Sequence, residues 1–262
     1  MKLSELKHEI GGGEVASVIL AFVLGVERSQ LFPHVELDAT QINRARRIAR
    51  EHARGVPIQY CLGWWHFMEM PFHLTRHVLI PRHDSEILVT KALEYTNPSS
   101  TVLDMCAGSG CIGIAVAKLG KIASLTGADI CPYAIKVATF NAEVNKVPAK
   151  FVVSDMFASI TGTFDVIVTN PPYIETERVG YEDPATLDEP SIAFDGGHDG
   201  LDFYHILARD AAKHLNPSGV MLMEIDRDQG KDIHQIFTAA GWQILDTVKD
   251  LAGRDRVVVV RR

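Results

Sequence analysis

The sequence predicts an α/β protein with a Rossmann-like sheet of seven strands, mostly parallel with an antiparallel edge, preceded by a small helical domain and a linking β-hairpin. Three observations carry this. From Thr101 onward, short apolar runs alternate with helical patterns, which implies parallel strands joined by right-handed crossovers. A glycine-rich turn follows the first of those runs. Before residue 60 the apolar residues recur at helical spacing instead.

Composition narrows the class. The 262 residues suffice for one large domain or two modest ones. With 47% hydrophobic and 23% charged residues, the chain is an ordinary globular one and not a disordered or fibrous one. A net charge of -7 argues against a grip on phosphates, so no stable nucleic-acid binding is expected. Cys61, Cys106, Cys111 and Cys131 form no CxxC pair and lack zinc-ligand spacing, so reduced thiols, no metal and a cytoplasmic location are expected. Met1-Lys2 runs straight into polar residues, unlike a signal peptide. The apolar stretch at residues 15–26 is too short to span a bilayer and reads as a core helix.

Residues 1–63 form the helical domain, with a role in substrate recognition expected. Between residues 40 and 54, Ile42, Ala45, Ile48 and Ala49 have helical spacing, with Arg44, Arg46, Arg47, Arg50 and Arg54 between them. Those arginines read as a solvated face, with an acidic partner or RNA as the alternative. Gly55-Val56-Pro57 ends the helix. Residues 64–80 read as a hairpin, with Pro71 dividing its strands.

Residues 81–262 hold the sheet. Asp84 is placed to cap a helix over residues 84–95. Strands are expected at residues 102–104, 124–129, 150–153, 165–169, 219–225, 243–248 and 256–260. Helices fall at 112–119, up to about 145, 201–215 and 232–240. The last two strands are close together and read as an antiparallel edge hairpin.

The first sheet strand ends in Asp104, then Cys106-Ala107-Gly108-Ser109-Gly110. Glycines there permit a tight turn and close approach of backbone to a ligand. Asp129 ends the next strand, 19 residues after Gly110, as an acidic partner for ribose hydroxyls would. Three readings stand beside each other: a turn with no ligand, a dinucleotide, or S-adenosylmethionine. The glycines do not spell G-x-G-x-x-G, and an adenosyl sulfonium needs no helix N-terminus for phosphate, so the last fits best. Asp155 and Met156, after the third strand, are placed to flank the adenine, or simply to turn the chain.

Asn170-Pro171-Pro172-Tyr173 is the most telling segment. It follows an apolar strand, and two prolines stop the ladder because neither has an N–H. Asn170 therefore stands in a stiff turn at a strand's C-terminal end, where open α/β sheets bind ligands. A fixed carboxamide and a free Pro171 carbonyl suit one job, accepting both hydrogens of an NH2 group. A methyltransferase acting on such a nitrogen needs that. A plain strand-ending turn is the simpler alternative.

Taken together, the chain resembles the protein-(glutamine-N5) methyltransferases, the HemK family. The resemblance covers most of the chain. It rests on Arg54 to Gly63, on Leu79-Ile80-Pro81-Arg82-His83-Asp84-Ser85-Glu86, on Asp104 to Ile112, on Asp129 and on Asn170 to Ile174. It continues through Glu189-Pro190, Gly196-Gly197-His198-Asp199-Gly200-Leu201, Glu224-Ile225 with Gln229, and Asp250 to Arg256. The resemblance implies a class I methyltransferase sheet, S-adenosyl-L-methionine as cofactor, and methylation of the glutamine in the Gly-Gly-Gln motif of class I peptide chain release factors. It implies that Asn170, Pro171, Pro172 and Tyr173 hold the amide, and that Pro81 and Ser85 border its pocket; helix capping is the alternative for Ser85. The family usually has Gly at positions 106 and 226 and Thr at 85, where this chain has Cys106, Asp226 and Ser85. The Asn-Pro-Pro-Tyr segment also occurs in adenine-N6 DNA and RNA methyltransferases, which would flip a base into the pocket. A glutamine methyltransferase of a ribosomal protein would share nearly all these motifs. A non-catalytic cofactor-binding module is the remaining alternative. Asp195, Asp199 and Asp202 lack the calcium-loop pattern and read as loop and cap residues.

Overall fold

The computed structural model describes residues 1–181 and 188–262. The chain divides into two compact units, Met1–Trp64 and Trp65–Arg262.

The first unit holds α1 (Leu3–Glu9), α2 (Gly13–Leu24), α3 (Ala39–His52) and α4 (Ile58–Leu62). Leu3, Leu6, Ala16, Ile19, Leu20, Ala45 and Ile48 form its buried stripe. The N-terminus of α3 is fixed by a capping box: Asp38 accepts from the Gln41 N–H at 2.8 Å and Gln41 accepts from the Asp38 N–H at 3.0 Å. The arginine face is partly engaged within the unit. Arg46 grips Glu9 with two hydrogen bonds of 2.6 and 2.8 Å, and Arg44 lies over the Phe22 ring at 4.7 Å.

The hairpin consists of β1 (Trp64–Phe67) and β2 (Met70–His73). Pro71 does not divide its strands but lies inside β2. The reversal falls at Met68 and Glu69, both with positive φ, as a two-residue turn requires. A two-stranded ribbon has only edge strands, so a missing N–H is tolerated there. Two asparagines of the helix at residues 132–145 tie the ribbon down. Asn141 exchanges hydrogen bonds with the His73 backbone at 2.7 and 3.1 Å, and Asn145 donates to the Pro71 carbonyl at 2.9 Å.

The sheet contains β3 (Thr101–Met105), β4 (Ser124–Asp129), β5 (Ala149–Val153), β6 (Phe164–Thr169), β7 (Leu215–Glu224), β8 (Gln243–Lys249) and β9 (Asp255–Arg261). Their order is β5-β4-β3-β6-β7-β9-β8. Only β9 runs against its neighbours, so the reversed strand lies one in from the edge and β8 closes the sheet. Strand β7 begins at Leu215, earlier than the sequence indicates, because Leu215 pairs with Phe164 across a register shift. The preceding helix correspondingly ends early. The helices are α5 (Ser85–Leu93), α6 (Cys111–Gly120), α7 (Pro132–Asn145), α8 (Asp202–Asp210) and α9 (Gly230–Ala239). Leu103, Met105, Ile167, Met221 and Val258 of the strands pack with Tyr204, Leu207 and Phe237 of α8 and α9.

Strand order reverses between β3 and β6. The chain leaves β3 toward β4 and β5 and returns to β6 on the other side. Met105 and Thr169 pair across that divide, so the glycine turn and Asn170 leave the sheet side by side. Such a switch point opens a crevice at the carboxyl edge of the strands.

Candidate active site

A cleft occupies that crevice. Its walls come from the turn after β3 (Cys106, Ala107, Gly108, Ser109), the end of β4 (Asp129, Ile130, Cys131), the turn after β5 (Asp155, Met156), the turn after β6 (Asn170, Pro172) and the entry to α5 (Pro81, Arg82, Ser85). The structure thus brings together residues from segments far apart in the chain. Asp104, Gly110, Pro171 and Tyr173 are not in the lining.

The glycine turn is built on positive φ at Gly108 (53°) and Gly110 (77°). Asp104 is its support from beneath. It is 1% exposed, and one oxygen accepts from the Gly113 N–H at 2.9 Å, while the other has no partner among the described residues. Burial pushes its carboxyl up to about 7, against the Gly113 hydrogen bond. Asp129 accepts from the Gly108 N–H and the Cys131 N–H, both at 2.8 Å. The acid at the end of β4 thereby fixes the turn after β3. Burial raises its pKa. Asn141 also donates to the Ser109 carbonyl at 2.9 Å, linking turn, helix and hairpin.

Met156 has a positive φ of 44°, and its carbonyl is held by the Ser154 hydroxyl at 2.6 Å. The thiol of Cys106 lies 3.9 Å from the Met156 sulfur. Burial raises the Cys106 pKa, so the thiol stays protonated.

The Asn170 side chain donates from Nδ2 to Ser85 Oγ at 3.3 Å. Its Oδ1 is buried with no partner among the described residues. A buried acceptor left open in a ligand cleft is a place for a donor that arrives. Ser85 is the first residue of α5, and neither it nor Asp84 makes a side-chain capping bond. Asp84 instead faces Arg256 at 3.3 Å.

The Gly196–Leu201 segment packs on the turn after β6. Ile174 donates to the Phe194 carbonyl and Gly196 donates to the Ile174 carbonyl, both at 2.8 Å. A Cβ on Gly196 would lie 2.8 Å from the Tyr173 Cα and 2.9 Å from the Pro172 oxygen, so the two backbones touch. Gln229 donates to the carbonyls of Tyr173 and Gly200 at 2.9 and 3.2 Å. Glu189 is buried. It accepts from the Ile80 N–H at 2.9 Å and pairs with Arg82, which anchors the Pro81 wall.

Comparison with known proteins completes the picture. The PrmC N-terminal domain matches residues 8–63 and the methyltransferase small domain matches residues 83–183. The release factor glutamine methyltransferase of Thermodesulfovibrio yellowstonii is 34% identical over 255 residues, covering 94% of this chain and 91% of that protein. The chain belongs to the release factor glutamine methyltransferase family. The relative from Geobacter sulfurreducens is 36% identical over 92% of this chain and 86% of its own. Among solved structures, a methyltransferase from Pyrococcus furiosus is 18% identical with a TM-score of 0.57, covering 83% of this chain and 96% of that one. The ribosomal protein L11 methylase of Lactobacillus delbrueckii is 24% identical with a TM-score of 0.55, covering 72% and 83%. These two share the fold.

The departures from the release factor glutamine methyltransferase pattern now have a physical reading. Cys106 has φ of 60°, the left-handed conformation that glycine enters without strain. Asp226 is not at positive φ, so a side chain is tolerated there, and its N–H donates to Gln229 at 3.2 Å. Sequence reasoning named Gln229 without a role and missed Asn141, His77, Ile130 and Ile192. The last three line the cleft from positions that carry no motif. Buried asparagines four residues apart in α7 were the available signal for Asn141.

Proposed function

We propose that this chain transfers a methyl group from S-adenosyl-L-methionine to the side-chain amide nitrogen of a glutamine, in the Gly-Gly-Gln motif of class I peptide chain release factors. The observation that carries the reading is the Asn170 carboxamide, anchored through Nδ2 and open at Oδ1.

S-adenosyl-L-methionine supplies an activated methyl group when bound. The residues present fit an adenosyl ligand without phosphates. Gly108 has open space where a Cβ would stand, Asp129 keeps a free lone pair on each oxygen, and Ile130 and Met156 offer apolar walls. Cys106, Ala107, Gly108, Ser109, Asp129, Asp155 and Met156 would hold it, with Asp104 and Gly110 shaping the turn from behind.

An amide nitrogen is a poor nucleophile because its lone pair is delocalised, so the protein's work is alignment. Asn170 Oδ1 and the Pro171 carbonyl accept the two amide hydrogens and fix the nitrogen. These dipoles also stabilise the positive charge that develops on nitrogen, without reorganising. Tyr173 and Pro172 stiffen the turn, and Pro81 and Ser85 close the wall beside it. The proton leaves afterwards to water.

The test is labelled S-adenosyl-L-methionine with a Gly-Gly-Gln release factor on one side and adenine-containing oligonucleotides on the other. Label in the release factor is expected, with Asn170→Ala slower by about a hundredfold or more. Label in nucleic acid alone, or unchanged turnover by Asn170→Ala, would sink the reading.

A further inference from the structure

Behind the Asn170 carboxamide lies a buried acid that the chemistry above leaves unused. Glu224 is the last residue of β7, the strand next to β6, and is 1% exposed. It is not part of the cleft lining, whereas Ser85 and Asn170 are. Both are polar neighbours whose contacts favour its charged form. Its Oε2 has no hydrogen-bond partner among the described residues. A buried carboxyl so poorly satisfied is costly to keep.

The two ends of a carboxamide have nearly the same shape, so packing alone does not choose which faces the ligand. Glu224 and the hydroxyl of Ser85, both beside the carboxamide, make that choice: a carboxylate accepts from Nδ2 and repels Oδ1. The hydroxyl carries one proton. If that proton is drawn to the Glu224 carboxylate, Oγ can only accept, and the amide must turn Nδ2 toward it. That is the arrangement seen, at 3.3 Å, with Oδ1 left free. If Glu224 is neutral, the hydroxyl is free to donate to Oδ1, which removes the acceptor.

We propose that Glu224 is a positioning residue: acting on the Asn170 carboxamide directly and through the Ser85 hydroxyl, it orients that carboxamide so that its oxygen stays available to the substrate NH2 group. This rests on the reading of Asn170 as that acceptor. A buried negative charge behind Asn170 also favours the positive charge that develops on the reacting nitrogen.

The orientation is then sensitive to pH. Glu224 meets Arg256 of β9, Asp84 ahead of α5, Cys111 of α6 and Tyr173 after β6, while Tyr204 of α8 donates to its backbone carbonyl at 2.7 Å. Burial pushes its carboxyl up to about 7, against Ser85 and the Arg256 charge, with Asp84 adding to the rise. Below that pH the proton is bound and the hold on Ser85 is released.

The experiment follows the Asn170 side-chain NH2 resonances of the full chain from acid to alkaline pH, beside steady-state methylation of a Gly-Gly-Gln release factor. In the wild type the resonances should move with a midpoint near the Glu224 value, and kcat should rise through the same range. Glu224→Gln should flatten both, lowering kcat by roughly ten- to a hundredfold at alkaline pH with KM for either substrate nearly unchanged. Ser85→Ala, which leaves only the direct contact, should weaken both in the same direction, whereas Ser85→Thr, which keeps the hydroxyl, should restore the wild-type profile. Resonances that titrate alike in wild type and Glu224→Gln would overturn the proposal, as would an unchanged kcat. Should the release factor take no label, the function proposed above fails on its own, and the resonance titration still decides this one.

Discussion

Gln229 holds the carbonyl of Tyr173 from 56 positions away in the chain, with Nε2 donating at 2.9 Å. The same amide nitrogen reaches the Gly200 carbonyl, and the Gln229 side-chain oxygen accepts from Asp226. One side chain thus joins the turn after β6, the Gly196–Leu201 segment and the start of α9.

Gln229→Ala should leave two backbone carbonyls without their donor. Loss of a buried hydrogen-bond partner costs about 1–3 kcal/mol. Thermal unfolding should shift down accordingly, and kcat should fall more than KM changes, because the turn that carries Asn170 loosens. Calorimetry and steady-state kinetics on the purified variant would check both. An unaltered kcat with a lowered Tm would confine Gln229 to stability.

Gly200 is at φ 74°, and a Cβ there would collide with the Tyr173 carbonyl and approach Gln229 Nε2 to 2.8 Å. Gly253 has a similar φ of 79° with open space around it. Alanine at either position meets the left-handed strain of roughly 1–2 kcal/mol. Only Gly200→Ala must also push the turn after β6. Methyl transfer should therefore drop sharply in Gly200→Ala and stay near wild type in Gly253→Ala. Equal activity in the two variants would mean that this contact does not set the turn.

Cys106 offers the reverse case. Cys106→Gly removes left-handed strain of order 1 kcal/mol, while Cys106→Ala keeps the strain and loses the contact with Met156. The glycine variant should melt above the alanine variant and bind S-adenosyl-L-methionine at least as tightly as wild type. Differential scanning fluorimetry with and without the cofactor measures both. A lower melting point for glycine than for alanine would refute the strain argument.

Asp104 gives a pH dependence of stability whose sign is fixed. Burial raises its carboxyl in the folded state from 3.8 to about 7. Between those values the folded chain holds a proton that the unfolded chain has released, so stability falls as pH rises through that window. Above about 7 both states are ionised and the loss is complete. Asp104→Asn removes this term and keeps an oxygen for the Gly113 N–H. The melting point of the variant relative to wild type should improve by a few degrees between pH 5 and pH 8. No change in that difference across the range would show that Asp104 is not held neutral.

Much of the site is legible in the amino-acid sequence alone. The glycine turn, Asp129, Asp155 with Met156, Asn170 with Pro172, and Pro81 with Ser85 are all marked by local chemistry: turn residues, strand ends and prolines. Their neighbours are not. Glu224 reads in sequence as the polar end of an apolar strand, and nothing local says that it stops behind Asn170. Pro71 reads as a strand breaker because proline lacks a donor, yet a ribbon with two edges needs no donor at that point.

Written in the order of the residues alone are the alternation of strands and helices, the turn chemistry at each strand's carboxyl end, and a rigid carboxamide poised to accept hydrogen bonds. These follow from periodicity and backbone restriction, which act over a few residues. Folding in three dimensions adds that β9 inserts between β7 and β8, that Asp104 lies under the turn and not in the cleft, and that Ser85, Glu224 and Gln229 converge on the turn after β6. Those relationships depend on strand order and close packing, which join residues far apart in the chain and leave no local mark in the sequence.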